Sequence, residues 1–287
     1  MKTWLITGCS SGLGRHLAQA VLKAGFNAVV TARNPATVQD IVAAYPQTAL
    51  AAALDVADQD AVERTVKRAE ERFGSIDVLV NNAGHGYRAA VEEGEDDQVA
   101  GLFASNFFGA VSMIKAVLPA MRTRRSGTIV NVTSIAGRLA APGSGYYSAA
   151  KFALEGVSDA LRKEVGPLGI GVLIVEPGAF RTDFAGRSLH GSATEIADYA
   201  ATAGLRRKEN DKTSGTEPGD PARAARVLVE LIEGGTLPVR LLLGSDAVRI
   251  VTAEVKAQLE EIGEWAGVST RTDFPDAGQG SVPAGYT

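Results

Sequence analysis

Short apolar runs typical of β-strands alternate with helix-length segments along most of this chain. The runs predict strands at Thr3–Thr7, Ala28–Thr31, Leu50–Leu54, Val78–Asn81, Thr128–Thr133, Gly171–Glu176 and Arg240–Leu243. The segments between them predict helices at Leu13–Ala24, Asp58–Phe73, Phe107–Met121, Ser148–Val165, Pro221–Glu233 and Ala247–Ile262. This alternation indicates an α/β chain with a parallel sheet of about seven strands and helices on both faces. Right-handed crossovers would make the sheet doubly wound, with a ligand crevice at the carboxyl ends of its strands.

Two stretches interrupt the alternation. Residues 184–220 are rich in Gly, Ser, Thr and Asp, and show only weak helical character at Ser192–Ala203. Loops of this length are usually functional lids or disordered segments, so we predict a substrate lid at about 184–220. Residues 267–287 contain Pro and Gly, which predicts an extended or frayed terminal tail. No linker divides the remainder, so we expect a single domain over residues 1–266.

Charge and cysteine content narrow the class of protein. The 287-residue chain has a net charge of −4, and its longest basic cluster, Arg122, Arg124 and Arg125, is too small for a nucleic-acid-binding surface. The acidic run Glu92–Asp97 predicts an exposed loop leading into the next helix. A single cysteine, Cys9, rules out an intrachain disulfide framework and fits a reducing compartment. No window approaches the roughly 18 apolar residues of a membrane span, and the first residues do not form a signal peptide, so we expect a cytoplasmic protein with no membrane partner.

A glycine-rich turn follows the first predicted strand and opens the first helix, in the order Thr7-Gly8-Cys9-Ser10-Ser11-Gly12-Leu13-Gly14. A pyrophosphate needs backbone N–H groups at close range, and glycine lets the chain pass near it. The amino end of the helix adds a dipole that favours negative charge. Glycine-rich turns also occur as plain loops, but a strand before and a helix after favour a dinucleotide site of the Rossmann type. We therefore predict cofactor contacts from Gly8, Ser10, Ser11, Gly12, Leu13 and Gly14.

The spacing of these glycines resembles the Thr-Gly-x-x-x-Gly-x-Gly fingerprint of the short-chain dehydrogenase/reductase family. Dinucleotide folds that choose NAD usually place an acid after the second strand. By resemblance, Ala32 stands where the NAD-type members carry Asp, and Arg33 follows it as in the NADP-type members. An Arg fork fits a phosphate bidentately, although an ordinary surface Arg would also suit the end of a strand. The missing acid and the adjacent Arg33 favour NADP(H) over NAD(H).

Three further segments match the family's motifs in chain order. By resemblance, the adenine lies on Asp55 and Val56, its ribose on Asn82, Ala83 and Gly84, and the nicotinamide carboxamide under Pro177, Gly178 and Thr182. Asp55 would equally suit the start of a helix, ahead of Asp58. The amide side chains of the Asn81-Asn82-Ala83-Gly84 signature would also brace the sheet.

Tyr147 and Lys151 form a Tyr-x-x-x-Lys pattern, whereas Tyr146 has no Lys at that spacing. Residues four apart lie on one face of a helix, so the two side chains would be neighbours. A free phenol has a pKa near 10. An ammonium about 4 Å away contributes roughly 4 kcal/mol at an effective dielectric constant of 20, which lowers that pKa by about 3 units before burial opposes it. Tyr147 is therefore predicted to exchange a proton near neutrality, and the resemblance also places Lys151 on the cofactor.

Two more polar residues are candidates for the same site. Ser134 follows the fifth predicted strand, thirteen residues before Tyr147, where the family has its catalytic Ser. Thr133 is the rival hydroxyl, and the alternation of side chains along a strand should direct it away from the crevice. Asn106 resembles the family's mid-helix Asn, which breaks the helix and holds a water against the Lys; it would also suit an ordinary polar helix position. We therefore predict Asn106, Ser134, Tyr147 and Lys151 as catalytic.

The resemblance implies an NADPH-dependent carbonyl reductase, or in reverse a secondary alcohol dehydrogenase, acting on a small-molecule carbonyl or alcohol. The glycine-rich turn of this chain and the segment that contains Ala32 and Arg33 look like those of the hydroxysteroid and retinol dehydrogenase-like members of the family. A reductase of carrier-bound or CoA-bound β-ketoacyl groups stays open, because Arg206, Arg207 and Lys208 could form a basic surface at the crevice. A non-enzymatic NADP-binding regulator is disfavoured, since such proteins typically lack the Tyr or the Lys. Family members commonly form homodimers or homotetramers through the helices near 107–121 and 148–165.

No metal site is predicted from the sequence. The three histidines, His16, His85 and His190, lie far apart and not at the spacing of zinc ligands.

Overall fold

The computed structural model describes residues 1–184, 186, 188–213 and 215–274. Its strands are β1 (Thr3–Ile6), β2 (Asn27–Ala32), β3 (Ala49–Ala53), β4 (Val78–Asn81), β5 (Gly86–Arg88), β6 (Gly127–Val132), β7 (Ile170–Pro177), β8 (Leu189–Gly191) and β9 (Arg240–Leu243). Its α-helices are α1 (Gly12–Lys23), α2 (Gln39–Ala44), α3 (Gln59–Phe73), α4 (Asp96–Phe103), α5 (Gly109–Arg124), α6 (Gly145–Val165), α7 (Ala203–Thr213), α8 (Pro221–Glu233) and α9 (Ser245–Ser269).

Seven strands form one parallel sheet in the order β3-β2-β1-β4-β6-β7-β9. The predicted doubly wound sheet is confirmed, and each of its strands lies within one residue of the predicted bounds. The chain winds outward from β1 in one direction and then from β4 in the other. Ligands bind at such a reversal, beyond the carboxyl ends of the strands. The neighbouring ends of β1 and β4 therefore mark the crevice.

The core consists of one apolar layer on each face of the sheet. Alternate residues of β1 belong to the two layers. Trp4 and Ile6 pack with α1 and α8, whereas Leu5 packs with α3 and α5. Side chains on a strand point alternately to opposite faces. Burial on both faces explains why the central strands read as continuous apolar runs in the sequence.

The long helical segment before β6 differs from its prediction. The chain forms α4, one π-helical turn over Ala104–Phe108 and then α5, so the helix begins well before the predicted start at Phe107. The whole segment Asp96–Arg124 is 29 residues long and apolar enough, by length and composition, to cross a membrane. The expectation that no window reaches that composition is wrong. Met113, Val117 and Met121 of this segment are buried in the core, as expected for the central helix of an α/β fold.

Several elements were missed because they carry no periodic apolar pattern. The strands β5 and β8 have three residues each and pair with one another in a small parallel sheet. Within the predicted lid, the weak helical character at Ser192–Ala203 corresponds to a short 3-10 turn at Ala197–Tyr199, and the helix α7 begins only at Ala203. The sequence of α7 is strongly polar. Residues 185, 187 and 214 of the predicted lid lie outside the described residues.

The last helix is longer than predicted. α9 continues beyond Ile262 and across the predicted boundary at residue 266 to Ser269. The added residues include Glu264 and Ala266, which are good helix formers, but also Gly263 and Gly267, which are poor ones. The rest of the predicted tail, residues 275–287, lies outside the described residues.

Candidate active site

The glycine-rich turn after β1 needs its glycines for two reasons. Gly8 and Gly12 adopt φ angles of +72° and +58°, in the left-handed region that side chains disfavour. A Cβ atom at Gly8 would lie 2.8 Å from the Cα of Ala83, and one at Gly14 would lie 2.3 Å from Nδ2 of Asn82. The turn is therefore packed tightly against the residues that follow β4. No residue with a side chain fits at Gly8 without a shift of the backbone.

The amino end of α1 suits an anionic group. Its N-cap residue, Ser11, makes no side-chain capping bond, and the first turn contains no acidic residue. The first N–H groups of a helix lack partners within the helix and carry the positive end of its dipole. Ser10, Ser11 and Gly12 line a cavity of about 290 Å³ together with Arg15, His16, Arg181, Thr182 and Asp183. Leu13 instead packs against the core. The turn therefore fits the phosphates of a dinucleotide.

Arg33 and Ala32 end β2 at the same edge of the sheet. Arg33 is exposed, whereas Ala32 is buried. Burial lowers the pKa of His85, and the positive charges of His190, Arg33 and Lys151 lower it further. Arg33 therefore contributes positive charge to the crevice between β2 and β4, where the second ribose of a dinucleotide would lie.

The two residues predicted at the adenine have different environments. Asp55 is exposed after β3, and its carboxylate accepts a hydrogen bond of 3.0 Å from the backbone N–H of Ala57. Val56 is buried against Gly109, where a Cβ atom would lie 2.5 Å from Cγ2 of Val56. The start of α3 is capped by Asp58, which accepts a bond from the N–H of Ala61. Asp55 is therefore not the N-cap of that helix.

The amide signature after β4 braces the glycine-rich turn. The side-chain nitrogen of Asn82 donates to the carbonyls of Thr7 (2.9 Å) and Gly8 (3.1 Å). The hydroxyl of Thr7 accepts bonds of 2.9 Å from the N–H groups of Asn82 and Ala83. These contacts hold the ends of β1 and β4 together. Gly84 is exposed at the crevice, and it faces Asn106, whose Oδ1 would lie 2.5 Å from a Cβ atom at that glycine.

Tyr147 and Lys151 lie on one face of α6, as their spacing predicts. The ammonium nitrogen of Lys151 lies 5.7 Å from the centroid of the Tyr147 ring and donates to the carbonyl of Val132 at 3.0 Å. Burial raises the pKa of Tyr147 to about 12, and a hydrogen bond with Ser134 opposes this rise. The expectation of a Tyr147 pKa near neutrality is wrong for this structure, because burial raises this pKa and the opposing effect of Ser134 is the smaller one. Burial also lowers the pKa of Lys151 to about 8, against the effect of Glu155.

The structure distinguishes Ser134 from Thr133. The hydroxyl of Ser134 lies close enough to Tyr147 to lower the pKa of its phenol, and its Oγ accepts a bond of 3.1 Å from the N–H of Ala136. Thr133 is buried, and its hydroxyl donates to Oε1 of Glu155 at 2.6 Å. The hydroxyl beside Tyr147 is therefore that of Ser134, and Thr133 points away from the crevice.

Asn106 lies in the π-helical turn between α4 and α5. Its Nδ2 donates to the carbonyls of His85 and Leu102, each at 3.0 Å. Its Oδ1 is buried and has no hydrogen-bond partner within the described part of the chain. Single π turns often occur at functional sites. Asn106 thus departs from an ordinary polar helix position, and it presents a buried acceptor behind the crevice.

The segment after β7 lies against the glycine-rich turn. Pro177 ends β7, and the N–H of Gly178 donates to the carbonyl of Leu243 at 2.9 Å. A Cβ atom at Gly12 would lie 3.5 Å from the Cβ of Thr182. The motifs of the sequence, which span residues 7 to 182, are therefore brought to one edge of the sheet.

Comparison with known proteins identifies the family to which this chain belongs. A family model described as short chain dehydrogenase matches residues 2–192. The chain belongs to the short chain dehydrogenase family. An oxidoreductase of Botryotinia fuckeliana, BOA17, is 39% identical to this short chain dehydrogenase over 93% of this chain and 98% of its own length.

Two solved structures extend this comparison. A short-chain dehydrogenase from Streptomyces avermitilis is 42% identical, with a TM-score of 0.89 over 95% of this chain and all of its own. An alcohol dehydrogenase from Thermococcus sibiricus, solved in complex with 5-hydroxy-NADP, is 25% identical, with a TM-score of 0.70 over 85% and 96% of the two chains. The protein is thus an oxidoreductase of this family, whose members bind a nicotinamide cofactor.

The acidic run before α4 holds the segment 193–207 of this short chain dehydrogenase, which lies within the predicted lid, and the sequence did not reveal this role. Glu93 is buried and pairs with Arg207 at 2.8 Å, and its Oε1 accepts a bond from the N–H of Ile196. Glu92 accepts from the hydroxyl of Tyr199, and Glu95 from the N–H of Ala193. The prediction of an exposed loop is wrong for Glu93, because its charge partner lies in a distant segment.

The same ion pair affects the predicted basic surface. Arg207 forms an ion pair with Glu93, and Arg206 lies 3.7 Å from Glu209. The charge of Arg207 is therefore neutralised by Glu93, which removes much of the support for a surface built to attract an anionic carrier.

Aromatic and imidazole rings surround the approach to Tyr147. The ring of Phe184 lies 5.8 Å from that of Tyr147, and the rings of His85 and His190 are 5.6 Å apart. Nδ1 of His85 hydrogen-bonds the hydroxyl of Ser105 at 3.0 Å. Phe184 and His190 belong to the predicted lid, and Phe184 brings that segment into contact with Tyr147.

Proposed function

We propose that this short chain dehydrogenase transfers a hydride between NADPH and a ketone, or the reverse with a secondary alcohol, with Tyr147 as the proton donor and acceptor. The observation that carries the proposal is the hydroxyl pair of Ser134 and Tyr147, with Lys151 one helical turn away. Nicotinamide supplies or accepts the hydride when it is bound. A hydrogen-bonded Ser and Tyr pair can hold a substrate oxygen in both oxidation states, because each hydroxyl donates and accepts.

Ser134, Tyr147 and Lys151 have separate roles in orienting the substrate oxygen and in transferring its proton. Ser134 orients the substrate oxygen, and Tyr147 donates its phenolic proton to that oxygen during reduction. The raised pKa of Tyr147 keeps it protonated at neutral pH, which suits a proton donor. Lys151 places a positive charge beside the ring and so stabilises the phenolate that remains. In alcohol oxidation the same phenolate accepts the proton.

NADP(H) is the proposed cofactor. Arg33 is exposed at the end of β2, and neither Ala32 nor Asn34 offers a carboxylate to the ribose. An Arg beside a ribose binds a 2′-phosphate, whereas an acid there would repel it. The Thermococcus sibiricus relative was solved with an NADP derivative, which supports the same choice here.

A small-molecule carbonyl compound or alcohol is the proposed substrate. The aromatic ring of Phe184 lies beside Tyr147, and the relative from Thermococcus sibiricus is an alcohol dehydrogenase. The purified protein with NADPH should be tested against ketones, aldehydes and β-ketoesters by the loss of NADPH absorbance. Turnover of simple ketones supports the proposal. Turnover restricted to CoA-bound or carrier-bound β-ketoacyl groups would favour the alternative reductase, and binding of NADPH without turnover would favour a regulator.

A homodimer or homotetramer is proposed as the working form. Phe108 and Phe152, which lie in the two helical segments that the family uses for assembly, are 58% and 45% exposed in the single chain. Large exposed apolar side chains are typical of interaction surfaces when they cluster. Light scattering on the purified protein should give a dimer or tetramer mass, and a monomer at micromolar concentration would contradict this.

A further inference from the structure

The end of β6 and one face of α6 are joined by a row of polar contacts. Tyr147, Lys151, Glu155 and Ser158 are spaced so that they lie on one helix face. Their partners are Ser134, the carbonyl of Val132 (3.0 Å), the hydroxyl of Thr133 (2.6 Å) and the amide of Asn131 (2.8 Å). Four consecutive residues at the end of β6 therefore each contact this face of α6.

Glu155 is the acidic member of this row and is almost fully buried. Its side chain is 7% exposed, and its carboxylate accepts bonds from Thr133 and from Nε of Arg240 at 3.0 Å. Burying a carboxylate is costly unless it is paired. Glu155 lies one turn beyond Lys151 on the same face, so its charge acts on the buried ammonium as well as on Arg240. In agreement, Glu155 raises the pKa of Lys151, whereas burial lowers it.

The other charges around Lys151 come from several elements. On its own helix, Lys151 faces Tyr147 on one side and Glu155 on the other. His85, which follows β4, feels the positive charge of Lys151. Burial raises the pKa of Glu155, and the second buried carboxylate, Glu176 at the end of β7, raises it further.

Two arginines take up the charge of Glu176. Arg138 lies 3.1 Å and Arg240 lies 3.5 Å from Oε1 of Glu176. Glu155 shares Arg240 but lies one turn from Lys151 on α6. Glu155 is therefore the carboxylate whose charge acts on Lys151.

We propose that Glu155 is a positioning residue, which keeps Lys151 in its ammonium form and fixes it against the end of β6 while Tyr147 exchanges its proton. This inference rests on the proposed function, because the charge of Lys151 matters only if Tyr147 carries out proton transfer. Glu155 does not touch the substrate oxygen in this account, and it acts through Lys151.

The substitution Glu155→Gln tests the proposal, because it keeps the shape and a hydrogen bond with Thr133 but removes the charge. The direct readout is the protonation of Lys151 in the cofactor-free protein, followed by NMR of ¹³C-labelled lysine side chains, with the Lys151 signal assigned from Lys151→Arg. The titration midpoint should fall by about one unit or more. In turnover, the loss of kcat as pH rises should begin at correspondingly lower pH, with a smaller loss at pH 6 than at pH 8.

Two further variants separate charge from structure. Asp159→Asn makes the same chemical change one turn further along α6, where the carboxylate lies 4.0 Å from the same Arg240, and it should leave the midpoint unchanged. Arg240→Gln removes a positive charge from the cluster and should raise the midpoint. An unchanged midpoint in Glu155→Gln, or an equal fall in Asp159→Asn, would overturn the proposal. If Glu155→Gln does not fold, the Arg240→Gln variant tests the proposal in its place. An unchanged or lowered titration midpoint of Lys151 in Arg240→Gln would contradict the proposed effect of the Glu155 and Arg240 charges on Lys151.

The role of Glu155 and the catalytic role of Tyr147 can be refuted separately. A midpoint shift in Glu155→Gln, together with full activity of Tyr147→Phe, would leave the link between Glu155 and Lys151 standing and refute the proposed function. A loss of turnover in Tyr147→Phe without any midpoint shift in Glu155→Gln would support the proposed function and refute the role of Glu155.

Discussion

The carboxylate of Glu93 is buried against the guanidinium of Arg207, 114 residues further along the chain, with 2.8 Å between Oε2 and Nη1. This pair joins the segment before α4 to the helix α7. Glu92 and Glu95 reinforce it by accepting hydrogen bonds from the hydroxyl of Tyr199 and the N–H of Ala193. The lid is therefore attached to the body of the protein at one acidic stretch.

Arg207→Met should loosen the lid while the sheet stays folded. Removing one partner of a buried ion pair leaves the other charge buried and unpaired, which is strongly destabilising. We expect hydrogen exchange over residues 193–207 to become at least tenfold faster, while exchange in β1, β4 and β6 stays unchanged. Arg206→Met, which removes a neighbouring cation that lies 3.7 Å from Glu209, is the matched control. Equal exchange in the two variants would show that the buried pair does not hold the lid.

Acid should release the lid through Glu93. The hydrogen bond from Arg207 lowers the pKa of Glu93 from 4.5 to about 2. A carboxyl with a lowered folded-state pKa stabilises the fold above its unfolded value, and this contribution is lost as pH falls. The contribution should be complete above about pH 4.5 and lost between there and about pH 2. Exchange at 193–207, corrected for its intrinsic pH dependence, should rise over this window in the wild type and much less in Arg207→Met. The same rise in both proteins would assign the effect to other acids.

Arg33 should select the cofactor. A charge-assisted hydrogen bond contributes about 1.5–3 kcal/mol, and each 1.4 kcal/mol is tenfold in affinity. Arg33→Ala should therefore weaken NADPH by roughly 10- to 100-fold and leave NADH nearly unchanged. Arg33→Lys should weaken NADPH binding less than Arg33→Ala does, because it keeps the positive charge but loses the planar guanidinium group.

The measurement for Arg33 is the ratio of kcat/KM with the two cofactors in each variant. Arg64→Ala, an exposed cation on α3 whose acidic neighbour Asp58 is 3.8 Å away, is the control for a general change of surface charge. A wild-type preference for NADH would refute this role of Arg33. Equal weakening of both cofactors in Arg33→Ala would indicate damage to the turn instead.

The sheet and the motifs at its carboxyl edge were predictable, whereas the lid and the electrostatics of the site were not. Buried parallel strands leave continuous apolar runs, and the tight packing of the turn after β1 requires Gly8 and Gly14, so both leave a signal in short stretches of sequence. Glu93 and Arg207 meet only through the tertiary fold, and no periodic pattern links them. The charge of Lys151 beside Tyr147 was predicted from spacing. The extent of burial, which reverses the direction of the pKa shift in Tyr147, depends on packing that spacing does not reveal.

The most direct test of the whole account is the rate of NADPH oxidation by Tyr147→Phe, measured with a ketone that the wild type reduces and alongside the affinity for NADPH. The variant keeps the ring and loses the proton donor. Tyr146→Phe is the matched control, because the hydroxyl of Tyr146 donates to the carbonyl of Val91 at 2.6 Å. Tyr147→Phe should lose about 10²- to 10⁴-fold in kcat, the usual contribution of a general acid. Its affinity for NADPH should stay within a few-fold, and Tyr146→Phe should keep turnover within a few-fold. Turnover by Tyr147→Phe within a few-fold of the wild type would contradict the central role of Tyr147.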